Sequence, residues 1–235
     1  MYRYSDIKSV HIEPTQGCNA ACPQCDRNIN GGKDNPYLHN AMLSSADYYE
    51  MFPCSFVEQL DSMYMCGNLG DPCVSSYAGE GFRYFRHANP KMWLGMNTNG
   101  GARLDYFWED LADLDVVITF SIDGLEDTNH LYRQKVKWER VMENVKAFIN
   151  RGGRAKWDFI VFKHNEHQVE EARQLSKDMG FEKFQVKKTG RFFSTVQHKG
   201  KESHQATNRK GEETQKLEKP KDKYVNSALK KEKDL

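Results

Sequence analysis

The amino-acid sequence predicts an α/β protein with a parallel sheet, followed by a polar C-terminal tail. Short β-rich segments alternate with amphipathic helical segments six times between residues 9 and 193. Such alternation is typical of parallel strands joined by crossover helices. Beyond about residue 194 apolar residues become rare, and lysine, glutamate, glutamine and serine predominate. Six strands fit either an open doubly wound sheet or an incomplete barrel, and the alternation leaves both open.

The individual elements are predicted from hydrophobic periodicity. Predicted helices carry apolar side chains on one face, and predicted strands are rich in β-branched, aromatic or methionine residues. Ser44 or Ser45 caps the first helix, which continues to residue 60. Trp93, Phe120 and Phe159 lie in strands and are expected in the core. The strands are residues 9–15, 62–67, 91–97, 116–122, 155–162 and 183–188, and the later helices are residues 81–87, 104–114, 138–151 and 166–179.

The tail, residues 194–235, is predicted to be polar and largely flexible, separate from a domain of residues 1–193. Residues 198–223 have few apolar side chains, so little surface is available to offset the entropy lost on folding. Their charges suit a solvated linker or an interaction segment. The end of the chain resembles the start of a C-terminal extension rather than its completion.

Composition and charge exclude few functions. The sequence has 34 basic and 33 acidic side chains, and this balance provides no overall field to attract nucleic acid or an anionic membrane. No apolar run approaches the roughly 18 residues of a membrane helix, and the N-terminus is too polar for a secretory signal. We therefore expect a cytoplasmic protein, in which the six cysteines remain reduced.

Three of the cysteines lie in one short loop after the first predicted strand. Cys18, Cys22 and Cys25 have the spacing Cys-x3-Cys-x2-Cys. Three thiolates on one loop can bind three irons of a [4Fe–4S] cluster and leave the fourth iron without a protein ligand. A reagent can approach that open iron, whereas a fully ligated cluster only passes electrons. The spacing therefore predicts an iron–sulfur cluster with one open iron.

The alternative interpretation of these cysteines is that they bind zinc in a zinc-stabilised structural protein. A structural zinc site needs four ligands, and the fourth would come from His11, Asp26 or a remote cysteine. The spacing also differs from the paired Cys-x2-Cys of zinc ribbons. The other cysteines, Cys54, Cys66 and Cys73, are expected to be ordinary thiols.

The cysteine loop resembles that of the radical S-adenosylmethionine (SAM) superfamily, and the resemblance covers roughly residues 7–193. It implies a partial (β/α)6 TIM-like barrel and a [4Fe–4S] cluster whose open iron is chelated by SAM. It also implies reductive cleavage of SAM to a 5′-deoxyadenosyl radical, with electrons from a donor such as flavodoxin or ferredoxin. The alternative function is that of an iron–sulfur electron-transfer protein that binds the cluster but does not cleave SAM.

Residues 67–72, Gly-Asn-Leu-Gly-Asp-Pro, are similar to the Gly-Gly-Glu-Pro motif of that superfamily. The resemblance implies that Asn68, Gly70 and Asp71 bind SAM, because this motif receives the SAM ammonium group with its carbonyls and acidic side chain. Leu69 and Asp71 depart from the usual glycine and glutamate. Gln24 also departs, since many members carry an aromatic residue just before the last cysteine.

Two further motifs follow the third and fourth predicted strands. Asn99 belongs to a Thr-Asn-Gly sequence, and Ser121 and Asp123 precede Arg133 in a pattern similar to the SPASM- or twitch-containing branch of peptide- and sulfatase-maturing enzymes. The resemblance implies that Arg133 clamps the SAM carboxylate, that Ser121 and Asp123 bind ribose or carboxylate oxygens, and that the substrate is a peptide, a protein or a small molecule. In that branch a C-terminal extension holds auxiliary clusters, but no cysteine follows Cys73.

Overall fold

The centre of the fold is a sheet of six parallel strands, and each strand is hydrogen-bonded to the next one in the chain. A computed structural model describes residues 3–188, 192 and 203–225. Every predicted barrel strand is present within a few residues of its expected position. The strands are β1 (Ser9–Ile12), β2 (Ser62–Met65), β3 (Trp93–Thr98), β4 (Val116–Ser121), β5 (Ala155–Ile160) and β6 (Lys183–Lys187).

The order of the strands decides between the two arrangements that the sequence leaves open. A doubly wound sheet reverses its strand order at a switch point, so that a later strand lies beside the first. Here the order β1-β2-β3-β4-β5-β6 runs without reversal. The sheet is therefore an incomplete parallel barrel, which confirms the fold implied by the resemblance.

The helices lie between the strands and cover the sheet. The single helix expected up to residue 60 is wrong: there are two helices, because Pro53 has no N–H group with which to continue the first. Among the described residues no helix is long and apolar enough to span a membrane. The helices are α1 (Ser45–Met51), α2 (Cys54–Val57), α3 (Ala78–Ala88), α4 (Asp105–Asp113), α5 (Asn129–Tyr132), α6 (Trp138–Asn150) and α7 (Val169–Asp178).

The core lies between the strands and the helices. Phe120 and Phe159 are fully buried, as predicted. Trp93 is 43% exposed, so its expected place in the core is wrong. It is the first residue of β3, and its ring packs over the neighbouring Gly95 instead of against a helix.

Part of the expected tail forms an antiparallel hairpin of β7 (Ser203–Thr207) and β8 (Glu213–Glu218). This differs from the largely flexible segment that the composition predicts. The physical reason is that its few apolar side chains are well placed: Ala206 and Leu217 are fully buried, and His204 is almost fully buried. The rest of the expected tail, at residues 194–202 and 226–235, lies outside the described residues.

Candidate active site

A cavity of about 390 Å³ opens at the C-terminal ends of the barrel strands. Active sites of parallel barrels form at this end. Nine of the ten residues predicted to bind the cluster or SAM line the cavity, and Asp123 does not. The nine are Cys18, Cys22, Cys25, Asn68, Gly70, Asp71, Asn99, Ser121 and Arg133.

The cysteine loop leaves β1 and turns tightly over the strand ends. The N–H of Cys25 donates to the carbonyl of Cys22 at 3.1 Å, which closes a turn between the second and third cysteines. The N–H of Ala21 donates to the carbonyl of Gln134 at 3.0 Å. The loop is thus fastened to the segment that follows α5, where Arg133 lies.

Side-chain nitrogen donors lie near two of the three cysteine sulfurs. Nη1 of Arg133 lies 3.8 Å from Sγ of Cys22, and Nδ2 of Asn99 lies 3.9 Å from Sγ of Cys18. Donors of this kind stabilise thiolate charge and tune a bound cluster. Burial, with a smaller contribution from the charge of Asp71, raises the pKa of the Cys18 thiol to about 12. A cation bound to this sulfur would lower its pKa and stabilise the thiolate.

The donor set favours a cluster over a single metal ion. Within residues 3–188, 192 and 203–225 no group of three His, Cys, Asp or Glu side chains is placed to hold one ion. In a cluster each cysteine binds a different iron, so the sulfurs lie farther apart than the ligands of one zinc ion. Three thiols that line one cavity match the three cysteine ligands of a [4Fe–4S] cluster with one open iron.

The glycine-rich segment, residues 67–72, passes close beneath the cysteine loop. The N–H of Asp71 donates to the carbonyl of Gly17 at 2.8 Å. A Cβ atom on Gly70 would lie 1.9 Å from the carbonyl oxygen of Thr15, so only glycine permits this approach. The carbonyl oxygen of Asn68 lies 3.8 Å from Sγ of Cys25. This segment therefore presents a backbone acceptor beside the cysteine sulfurs.

The buried carboxylate of Asp71 joins two of the predicted motifs. Its Oδ1 accepts hydrogen bonds from the Thr98 hydroxyl at 2.7 Å and from the N–H of Cys73 at 3.1 Å. Its Oδ2 accepts from the N–H and from Nδ2 of Asn99 at 2.8 and 2.6 Å. Four donors hold this carboxylate in place. Asp71 thus ties the glycine-rich segment to the Thr-Asn-Gly sequence after β3.

Arg133, which directly follows α5, is held by Asp123. Its Nε lies 2.6 Å from Oδ2 of Asp123, and the two side chains are 15% and 0% exposed. Oδ1 of Asp123 accepts from the N–H of Ile160 at 2.6 Å. Burial is the largest single effect and acts to lower the pKa of Arg133. The charge of Asp123, together with the charges of Cys22 and Tyr132 and the hydrogen bond to Asp123, outweighs burial and leaves that pKa above its ordinary value. The Asp123 side chain is fully buried, pairs with Arg133 and does not line the cavity, so its expected contact with SAM stays a prediction.

Several cavity residues have no counterpart in the sequence-based prediction. Asp158 and Lys187 line the cavity and form an ion pair of 3.2 Å. Asn19 lies outside the cavity lining and exchanges two amide hydrogen bonds with the cavity residue Asn99, at 3.2 and 2.9 Å. The sequence offers one signal for Asp158. It lies between two buried aromatic residues of β5, and since side chains alternate along a strand, Asp158 is expected on the opposite face from them.

The fold and the cavity define a partial parallel barrel with a cysteine-lined cavity at the C-terminal ends of its strands. Residues 12–176, more than half of the chain, match the radical SAM superfamily, and the chain belongs to this superfamily. The family match makes the chain part of an enzyme superfamily whose cofactors are a [4Fe–4S] cluster and SAM.

Solved structures share this fold at low sequence identity. The crystal structure of Streptococcus suis SuiB bound to S-adenosylmethionine has a TM-score of 0.60 at 16% identity, covering 76% of this chain and 40% of that chain. The structure of anSMEcpe with bound AdoMet has a TM-score of 0.60 at 17% identity, covering 76% of this chain and 49% of that chain. The chain thus spans less than half the length of these two proteins. Comparison with curated proteins gave no match.

Proposed function

We propose that Cys18, Cys22 and Cys25 ligate the [4Fe–4S] cluster and that the enzyme acts on a peptide or protein. With the cluster and SAM bound and one electron taken from an external donor, the site would supply a 5′-deoxyadenosyl radical for abstraction of a hydrogen atom from the substrate. The observation that carries the proposal is that the three cysteines line one cavity with Asn68 and Arg133. In this proposal the cavity would hold the cluster on its three cysteines and SAM against the wall that Asn68 and Arg133 form.

Arg133 is the proposed partner of the SAM carboxylate. Its guanidinium is planar and permanently charged, and the ion pair with Asp123 fixes its orientation. Ser121 lines the same cavity and offers a hydroxyl to the ribose or carboxylate oxygens. In this proposal Asp123 acts through Arg133 and does not contact SAM.

The glycine-rich segment is the proposed site for the SAM ammonium group. The backbone carbonyls of Asn68 and Gly70 supply oxygen acceptors for a cation. Asp71 already accepts four hydrogen bonds, so its part is to position Asn99 and this segment. Asn99 in turn offers its amide to SAM beside the first cysteine.

Two neighbours support a peptide or protein as the substrate. The structures include SuiB bound to the precursor peptide SuiA and anSMEcpe with AdoMet and the Kp18Cys peptide, with TM-scores of 0.61 and 0.61. A small molecule is the alternative substrate. The enzyme is also proposed to take electrons from a donor such as flavodoxin or ferredoxin, because SAM cleavage requires a reductant.

Addition of SAM is expected to change the EPR spectrum of the reduced cluster. The reason is that three cysteine ligands leave one iron free to bind SAM directly. The measurement compares anaerobically reconstituted, dithionite-reduced protein with and without saturating SAM. 5′-Methylthioadenosine, which lacks the amino and carboxylate groups that would chelate the open iron, serves as the ligand control. A spectrum that SAM leaves unchanged would favour the electron-transfer protein that does not cleave SAM.

Replacing Arg133 with lysine is expected to weaken SAM binding roughly ten- to a hundredfold. Lysine keeps the charge but loses the planar fork, and a charge-assisted hydrogen bond contributes about 1.5–3 kcal/mol. The Kd for SAM is measured by anaerobic equilibrium dialysis of the reconstituted proteins. Arg151→Lys is the matched control, because Arg151 also pairs with an aspartate but is half exposed and lies outside the cavity. Equal Kd values for the two variants would remove Arg133 from the SAM site.

A further inference from the structure

The β7–β8 hairpin contacts two loops and one short helix at the mouth of the barrel. Ala206 and Leu217 are fully buried, so the hairpin is packed against the domain. On one side, the N–H of Lys163, just after β5, donates to the carbonyl of Glu218 at 3.1 Å, and the two side chains form an ion pair of 2.6 Å. The other two contacts reach the loop after the cysteines and helix α5.

The first of these contacts holds the loop that follows Cys25. The N–H of Thr207 donates to the carbonyl of Asn30 at 2.8 Å, and its hydroxyl donates to the carbonyl of Ile29 at 3.3 Å. A Cβ atom on Gly32 would lie 2.4 Å from the carbonyl oxygen of Asn208, so the loop and the end of β7 are in close backbone contact. The hairpin thus fastens the downstream end of the cysteine loop.

The second contact holds the helix that precedes Arg133. The side-chain amide of Gln215 donates to the carbonyl of Leu131, two residues before Arg133. A helix of four residues leaves most of its carbonyls without helical partners, so a donor from outside stabilises it. The N–H of Arg133 closes the helix by donating to the carbonyl of Asn129 at 2.8 Å. A shift of Leu131 would therefore move Arg133.

We infer that Thr207 and Gln215 are positioning residues for the cofactor site. Thr207 holds the loop that carries the cysteines, and Gln215 holds the helix that aims Arg133. The hairpin belongs to the segment that the sequence predicts to be flexible. It thereby fixes the position of the cysteine loop relative to Arg133, that is, of the cluster side of the cavity relative to the side that binds the SAM carboxylate. The inference rests on the proposed function, since it assumes that the cavity binds the cluster and SAM.

The role of Gln215 is tested by comparing Gln215→Met with Gln205→Met. Both glutamines lie in the hairpin, but among the residues that the structure describes Nε2 of Gln205 bonds to hairpin carbonyls alone, those of Ala206 and of Gln215. We expect Gln215→Met to raise the Kd for SAM roughly three- to tenfold at unchanged cluster content and Tm. Gln205→Met is expected to bind SAM like the wild type, and Gln215→Lys, which keeps a donor on an arm of similar length, to recover most of the affinity.

The role of Thr207 is tested by comparing Thr207→Val with Thr214→Val. Thr214 lies in β8 and is exposed, so its replacement controls for the loss of a hydroxyl from the hairpin. We expect Thr207→Val to lose iron to a chelator severalfold faster than the wild type, and Thr214→Val to lose it at the wild-type rate.

Different results would contradict the proposed function and the positioning role of Thr207 and Gln215. A wild-type protein that takes up no cluster, or whose cluster does not respond to SAM, would contradict the proposed function. A wild-type protein that binds both, with Gln215→Met equal to Gln205→Met in Kd and Thr207→Val equal to Thr214→Val in iron loss, would overturn the positioning role alone. Equal falls in Tm and in SAM affinity for both glutamine variants would also overturn it, because they would indicate general destabilisation of the hairpin.

Discussion

Replacing Cys22 with serine is expected to abolish the iron–sulfur cluster. Anaerobically reconstituted wild-type protein should contain roughly four iron and four sulfide per chain, and Cys22→Ser should retain little of either. Serine has nearly the same size as cysteine, but its hydroxyl is a poor ligand for iron at neutral pH. Cys22 is 7% exposed, so water has little access to replace the lost sulfur. Iron and sulfide analysis, together with the visible absorption of the cluster, measures the loss.

The matched control for this experiment is Cys54→Ser. Cys54 is exposed and lies outside the cavity, with its sulfur 3.6 Å from the hydroxyl of Tyr84. Its replacement is expected to leave cluster content unchanged. Because metal binding is coupled to folding, reconstitution should also raise the Tm of the wild type and of Cys54→Ser but not that of Cys22→Ser. Wild-type iron content in Cys22→Ser would exclude Cys22 as a ligand.

The barrel strands can be predicted from the sequence, whereas the small elements between and after them cannot. β4 (Val116–Ser121) is an apolar run with β-branched residues, and burial on both faces explains its composition. Helix α5 has only four residues, too few for a hydrophobic period. The strands of the hairpin are polar, and their conformation depends on contacts with loops distant in sequence, which local propensity does not report.

The same distinction holds for the candidate site. The motif residues are correctly expected at one end of the barrel, because the carboxyl ends of parallel strands share one edge of the sheet. The sequence does not predict which partner each of these side chains contacts. Asp123 follows β4 as a SAM ligand would, yet its carboxylate pairs with Arg133. Asp71 accepts hydrogen bonds from residues of two separate segments, and only the folded chain shows that these donors already occupy its oxygens.

Replacing Asp123 with asparagine is expected to lower the free energy of unfolding by roughly 3–5 kcal/mol, because it leaves the charge of Arg133 buried without its partner. Asp123 is 0% exposed, and Arg133 is 15% exposed. Asparagine keeps the size of the side chain but supplies no negative charge. Urea unfolding of the anaerobically reconstituted proteins, followed by circular dichroism, measures the change. SAM affinity should fall as well, because Asp123 fixes the guanidinium that is proposed to bind the SAM carboxylate.

Asp113→Asn is the matched control, because it breaks an aspartate–arginine pair of similar geometry at the surface. Asp113 accepts from Nε and Nη2 of Arg151 at 2.7 and 2.8 Å, but the two side chains are 51% and 54% exposed. Water solvates both charges when this pair is broken, so little change in stability or in SAM affinity is expected.

The double variant Asp123→Asn with Arg133→Met removes the unpaired charge and should recover part of the stability lost in Asp123→Asn, without restoring SAM binding. Recovery of stability without recovery of affinity would separate the structural contribution of the buried pair from its proposed role in the site. Equal stability of Asp123→Asn and Asp113→Asn would show instead that the buried pair does not hold Arg133 in place.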